Sequence, residues 1–271
     1  MIYLSSFKLS ERKVNNPNIY PYNVFRNKYI ESFVFSPITV FYGNNGSGKS
    51  TLLNIIANSL ELKGKEYPTS NSYGIVDYCA SFSSECAYSL GENEFGNIIS
   101  EIPTNSRYIK SEDILYEIKK IQQKQILSEG MEYDYVKKGM SLSEAKKFLN
   151  SREGRKQEEY IKFAQEKYSN GETSIQYFEE YLLPDALYLL DEPEVSLSPA
   201  NQVLLAEEIN KMARLLECQF IIATHSPFML GTLNAKIYNL DTKEYDVVKW
   251  SDLDNVRYFY KFFKKHENEF R

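Results

Sequence analysis

Apolar positions fall along the chain in three patterns. Short unbroken runs occur at Ile38 to Tyr42, Ala186 to Leu190 and Phe220 to Ala223. A run of that length predicts a strand covered on both faces, as in a parallel sheet. Pro37 separates the first run from Ser32 to Ser36 and predicts a break there. Alternation at Ile2 to Leu9 predicts a half-buried strand, and Lys236 to Leu240 and Asp246 to Trp250 read as two further short strands. Apolar residues three and four apart predict helices over Ser50 to Leu62, from Ile175 to Leu182 before Pro184, from Val203 to Leu216, and from Val256 to Phe263. Ser198-Pro199 supplies a cap and a first-turn proline for the third of these. Ser141 with Glu144, and Ser251 with Asp254, have the spacing of capping boxes. Tyr73 to Phe82 predicts a strand, while Ser83 to Asn105 gives no assignable pattern. Buried strands alternating with helices predict an α/β fold, a mixed sheet flanked by helices.

Charge changes this picture in one place. The window from Arg107 to Lys167 holds 14 Lys and Arg against 11 Asp and Glu, in a chain whose net charge is −5. Ile114, Ile118 and Ile121 keep roughly helical spacing there. The segment 107–167 therefore reads as an inserted helical arm interrupting one domain built from 1–106 and 168–271. Its charge fits a solvated helical face or a grip on a partner. Nothing else is basic enough to announce nucleic acid. Cys79, Cys86 and Cys218 lack C-x-x-C spacing and read as reduced thiols, which points to the cytoplasm. The start of the chain has no leader-like segment and no run reaches ~18 apolar residues, so direct membrane insertion is not expected.

The chemistry begins at Gly43-Asn44-Asn45-Gly46-Ser47-Gly48-Lys49-Ser50-Thr51, which fits G-x-x-x-x-G-K-[ST] between a buried strand and a helix. Glycines let backbone N–H groups reach phosphate oxygens, and the helix start faces the same anion. Lys49 would meet the β- and γ-phosphates of ATP, and Ser50 would ligate Mg2+. Asp191, closing the apolar run from Ala186, would hold the magnesium through water. Glu192 would orient or deprotonate the attacking water. His225 ends the next strand and would donate to the γ-phosphate, whereas His266 lies in a charged helix and reads as a surface residue.

Five segments occur in a telling order: GNNGSGKST at 43–51, SNGE at 169–172, LDEPE at 190–194, Ser196-Leu197-Ser198, and ATHSP at 223–227. This set resembles the ATP-binding-cassette (ABC) ATPases, most of all the soluble branch akin to chromosome-maintenance, repair and phage-defence ATPases. The resemblance implies a P-loop NTPase with an ABC-type nucleotide-binding domain, and a homodimer formed on ATP binding. Ser169, Gly171 and Glu172 of one subunit would touch the γ-phosphate held by the other, and Ser196 to Ser198 would couple the two sites. It also implies a protein partner such as a nuclease or toxin effector, with nucleic acid reached through the arm. The chain departs from the transporter pattern by reading YSNGE where a transporter has LSGGQ, and by having no glutamine in the region just after Phe82 where a glutamine loop would be expected. The alternatives are the ATP-hydrolysing subunit of a membrane ABC transporter, and a small-molecule kinase that shares only the phosphate loop.

Overall fold

The computed structural model describes residues 1–113 except 13, 17, 30, 67–69, 72–73, 76–77 and 94, then 141–149, 151, 178, and 182–270 except 196. Strands in chain order are β1 (Leu4–Lys8), β2 (Phe33–Val34), β3 (Ile38–Tyr42), β4 (Ser70–Asn71), β5 (Gly74–Ile75), β6 (Ala87–Leu90), β7 (Arg107–Lys110), β8 (Leu187–Asp191), β9 (Gln219–Ala223), β10 (Lys236–Asn239) and β11 (Val247–Val248). Six of them form one sheet in the order β11-β10-β3-β9-β8-β7. Every pairing in it is parallel except β10 with β11. The unbroken apolar runs explain the centre, since every residue of β3, β8 and β9 is buried.

A second, antiparallel sheet has the order β2-β1-β6. Leu4 and Phe7 of β1 are buried with Phe33, Phe35 and Phe41 in a core that continues into Leu52, Leu53, Ile55 and Ile56 of the helix Lys49–Ser59. That core is seeded by aromatic edge-to-face contacts, with Phe33 5.1 Å from Phe41 and 5.2 Å from Tyr238. The fully buried side chain of Gln219 ties the sheets together, its Oε1 accepting from the N–H groups of Tyr3 and Leu4 at 2.8 Å each. The helix Pro199–Leu215 buries Leu205, Ala206, Ile209 and Met212, and Ser198 Oγ accepts from Asn201 N–H as its cap.

Three local expectations change. Among the described residues of Tyr73 to Phe82, β5 is extended and Tyr78–Ser84 is a helix. It packs on the helix Lys49–Ser59, where Ser83 Oγ donates to Ile55 O and Ser59 Oγ to Ser83 O. Tertiary packing here overrides the β-propensity of the run. The segment without an assignable pattern supplies β6, and Arg107–Lys110, at the head of the basic window, is the edge strand β7. Ser251 and Asp254 form no capping box: a 3₁₀ turn occupies Trp250–Asp252, and the last helix, Asp254–Lys265, starts after Leu253 without a side-chain cap.

The chain divides into two compact units, 1–111 with 182–271, and 112–181. In the second, the helix Leu142–Leu149 opens on the expected box: Ser141 N–H donates to Glu144 Oε2 at 3.0 Å and Glu144 N–H to Ser141 Oγ at 3.3 Å. Ser169, Gly171 and Glu172 lie outside the described residues, as does Ser196.

Candidate functional site

Parallel register decides where the chemistry collects. Tyr42 pairs with Asn239, Phe41 with Ala223, and Asp191 with Ala223, so the carboxyl ends of β10, β3, β9 and β8 lie along one edge. Ligands of open α/β sheets bind at such an edge.

The phosphate loop leaves β3 there. Gly46 has φ +81 and Gly48 φ +97, left-handed conformations that side chains rarely adopt. At Gly48 space is short as well, since a Cβ would stand 2.6 Å from Val24 Cγ1. Gly48 also caps the helix Lys49–Ser59 without any side-chain hydrogen bond, so its first N–H groups have no capping acceptor. Such an end seats anions. Lys49, 5% exposed, curls back to donate to Gly43 O at 2.8 Å and Asn44 O at 3.3 Å. Asn44 is held from β10's end, where Asp241 accepts from its N–H at 3.0 Å and its side-chain amide at 2.9 Å.

Asp191 is buried at the end of β8, with Oδ2 accepting from the Tyr108 hydroxyl at 3.2 Å. Burial raises its pKa above the ordinary carboxylate value, and the nearby hydroxyls of Ser50 and Tyr108 oppose the rise. The Ser50 hydroxyl is not in hydrogen-bond geometry, so among the described residues Asp191 Oδ1 has no partner. A buried, unpaired carboxylate oxygen beside a serine hydroxyl is a donor set suited to Mg2+.

Glu192 has φ +47, a strained conformation for a glutamate, fixed by its N–H donating to Ala223 O at 2.8 Å. The bend turns its carboxylate across the sheet edge, where Oε1 lies 3.3 Å from His225 Nδ1 and 3.6 Å from Lys49 Nζ. The contact with His225 holds Glu192 below the usual glutamate value against the effect of burial, and the same contact raises His225. Sequence pattern therefore names Lys49, Ser50, Asp191, Glu192 and His225, and the fold brings all five to one place.

Sequence reasoning left two carboxylates without a role. Asp241, which grips Asn44, follows a short strand and carries no motif of its own. Glu194 is 6% exposed; its Oε1 accepts from the Thr224 hydroxyl and from His225 N–H at 3.3 Å. Its repetition of the Glu192 side chain two residues on, in LDEPE, is the signal that could have drawn notice to it. An additional cleft of about 570 Å³ is lined by Arg12, Tyr22, Phe25, Arg26, Tyr29 and Phe82 among others. Phe25 connects it to the loop, its Cε1 standing 3.7 Å from where a Gly48 Cβ would be.

Residues 68–231 match the family model described as "AAA domain, putative AbiEii toxin, Type IV TA system". No curated protein matches the chain. Among solved structures, similarity extends to the SMC head domain from Thermotoga maritima, 13% identical over 92% of this chain and 99% of that one, TM-score 0.40. It also extends to the Smc head domain with an extended coiled coil bound to the C-terminal domain of ScpA from Pyrococcus furiosus, 14% identical over 98% and 100%, TM-score 0.41. A nucleotide-free ATP-binding cassette from an ABC transporter is 15% identical over 89% and 88%, TM-score 0.42. Among the described residues no helix is long and apolar enough to cross a membrane.

Proposed function

This chain belongs to the AAA-domain family of that model, and from that premise we propose that it is an ABC-type ATPase converting ATP and water to ADP and phosphate. The observation that carries the reading is the place of Glu192 Oε1, 3.3 Å from His225 Nδ1 on the neighbouring strand end and 3.6 Å from Lys49 Nζ, beside a helix start without a side-chain cap. A kinase needs the helix start and the lysine but has no use for the glutamate–histidine pair.

On this reading, Gly43 to Thr51 wraps the phosphates, and Lys49 exchanges its carbonyl contacts for β- and γ-phosphate oxygens. Ser50 and Asp191 would hold Mg2+, which supplies charge neutralisation on the phosphates. Glu192, kept ionised by His225 and Lys49, accepts the proton of the attacking water. His225 donates to the γ-phosphate. The cleft beside Phe25 takes the nucleoside, its volume and aromatic walls suiting a base. Ser169, Gly171 and Glu172 of a second copy complete the site across a homodimer. The cycle of closure and opening drives or gates a nuclease or toxin subunit; the toxin system in the family's description supports that class of partner. Nucleic acid would be reached through the basic segment 107–167. The three cysteines, read as reduced thiols from their spacing, support a cytoplasmic setting.

The test is Glu192→Gln, assayed for phosphate release, nucleotide binding and mass in solution. The expected result is retained ATP affinity, turnover lowered by at least about a hundredfold, and a dimer trapped by ATP. Turnover at the wild-type rate would remove Glu192 from the reaction. A monomer at every ATP concentration would remove the composite site.

A further inference from the structure

Glu194 is buried, carries charge chemistry, and has no part in the reaction as described. Its surroundings define what it does. The strained bend at Glu192 and the ring of Pro193 carry the chain off the end of β8 so that Glu194 points back under the next strand end. There its Oε1 accepts from the Thr224 hydroxyl and from His225 N–H at 3.3 Å, while Oε2 is buried without a partner among the described residues. Thr224 Oγ1 in turn accepts from Ser226 N–H at 3.0 Å, and Ser226 caps the helix Pro227–Thr232. From the far side, the Asn255 amide donates to His225 O at 3.2 Å. His225 is thus gripped through its backbone on both sides, and its half-exposed ring is left with two carboxylates along one edge: Nδ1 lies 3.3 Å from Glu192 Oε1 and 3.8 Å from Glu194 Oε1.

We infer that Glu194 is a positioning residue for His225, holding the Thr224–His225 turn so that the ring keeps its Nδ1 edge on Glu192 and presents Nε2 outward. The consequence for catalysis rests on the assignment of His225 to the γ-phosphate made above. An imidazole whose Nδ1–H is committed to carboxylate can donate through Nε2 only as imidazolium. Glu192 and Glu194 both favour that charged form, while burial and, after it, Lys49 oppose it; Asn255, the contact from the last helix, is neutral. Glu194 therefore fixes where the ring sits and helps to set which of its two protonation states meets the nucleotide.

The chain has only two histidines, so His225 can be followed by NMR in the full-length, nucleotide-free protein, with His225→Ala giving the assignment. Glu194→Ala is expected to lower the His225 titration midpoint by about 0.5 pH. It should reduce kcat by about tenfold or more while KM for ATP stays within about twofold, because the phosphate loop is untouched. Glu194→Gln keeps the acceptor oxygen but not the charge. It should bring kcat back to within about threefold of wild type while leaving the midpoint low. An unmoved midpoint in both variants overturns the inference, as does a Gln variant no better than the Ala variant in kcat. Should Glu194→Ala not fold, the Gln variant's midpoint decides. Because the titration is read without nucleotide, it stands even if the chain proves not to hydrolyse ATP, so the two readings fail separately.

Discussion

Replacing Gln219 by leucine tests the joint between the two sheets. The carboxamide takes the N–H groups of Tyr3 and Leu4 at 2.8 Å each and returns a hydrogen bond to Leu4 O at 2.8 Å, with a longer one to Ser36 O at 3.3 Å. Leucine fills the same volume and offers no partner, so two N–H groups and at least one carbonyl are left buried and unpaired. Each such group costs about 1–3 kcal/mol. Burying more apolar surface returns about 1–2 kcal/mol. The net loss is about 3 kcal/mol, a large share of the roughly 5–15 kcal/mol that holds a domain together. For a chain of this size that corresponds to a fall in Tm of about 6 °C. Scanning calorimetry of wild type and Gln219→Leu at one protein concentration reads it directly. A fall smaller than about 2 °C would mean that β1 finds other partners and that the glutamine is not the joint. Nucleotide affinity should change little, because Gln219 lies at the opposite end of β9 from Ala223, beside the phosphate loop.

Two further substitutions separate loop geometry from metal chemistry. Gly48→Ala forces a side chain into φ +97 and onto Val24, which costs about 1–2 kcal/mol or more; Tm should fall and titration with a fluorescent ATP analogue should show binding weakened by at least about tenfold. Asp191→Asn removes a carboxyl whose pKa burial has raised: between its unfolded and folded values the native state holds the extra proton, so stability falls as pH rises through that window and the charged form is a liability above it. The nucleotide-free variant should therefore melt above wild type at pH 7 but not at pH 3, and should lose the gain in Tm that ATP with Mg2+ gives wild type; a wild-type response to ATP with Mg2+ would remove Asp191 from the metal site.

The elements legible in the sequence were those whose burial is complete or strictly periodic. β3, β8 and β9 are apolar on both faces, and the helix Pro199–Leu215 shows a clean stripe behind a serine cap. Ser141 with Glu144 was equally readable, because a capping box is closed within four residues. The helix Tyr78–Ser84 was not, since its partner is a helix some twenty-five residues earlier, and its Tyr, Phe and Cys content suits a strand as well. β6 left no trace because three of its four residues are exposed; its place in the small sheet comes from backbone pairing with β1 rather than from an apolar face. The box at Ser251 and Asp254 failed for a similar reason: the chain folds a 3₁₀ turn over Trp250–Asp252, and the Ser251 carbonyl is taken by the Arg257 side chain at 3.3 Å.

The candidate site divides along the same line. Residues that would face the nucleotide on the proposed reading follow spacing rules set by that ligand, and so Lys49, Ser50, Asp191, Glu192 and His225 could be named as candidates from short motifs alone. Residues that face the backbone of another segment obey no such rule. Asp241 meets Asn44 across 197 positions, Gln219 meets Tyr3 across 216, and Glu194 meets His225 across 31. In each case one polar side chain satisfies N–H groups that the strands or loops leave over, and the demand exists only once the strand order is known. The order β10-β3-β9-β8 makes that demand at both ends of the sheet. At the ligand end, the turns after β3 and β9 each need a carboxylate from a neighbouring strand's loop; at the far end, β1 needs the glutamine of β9. Supporting residues of this kind should recur wherever a parallel sheet presents two loops side by side, and they are to be sought by asking which backbone groups the topology leaves unpaired rather than by reading for motifs.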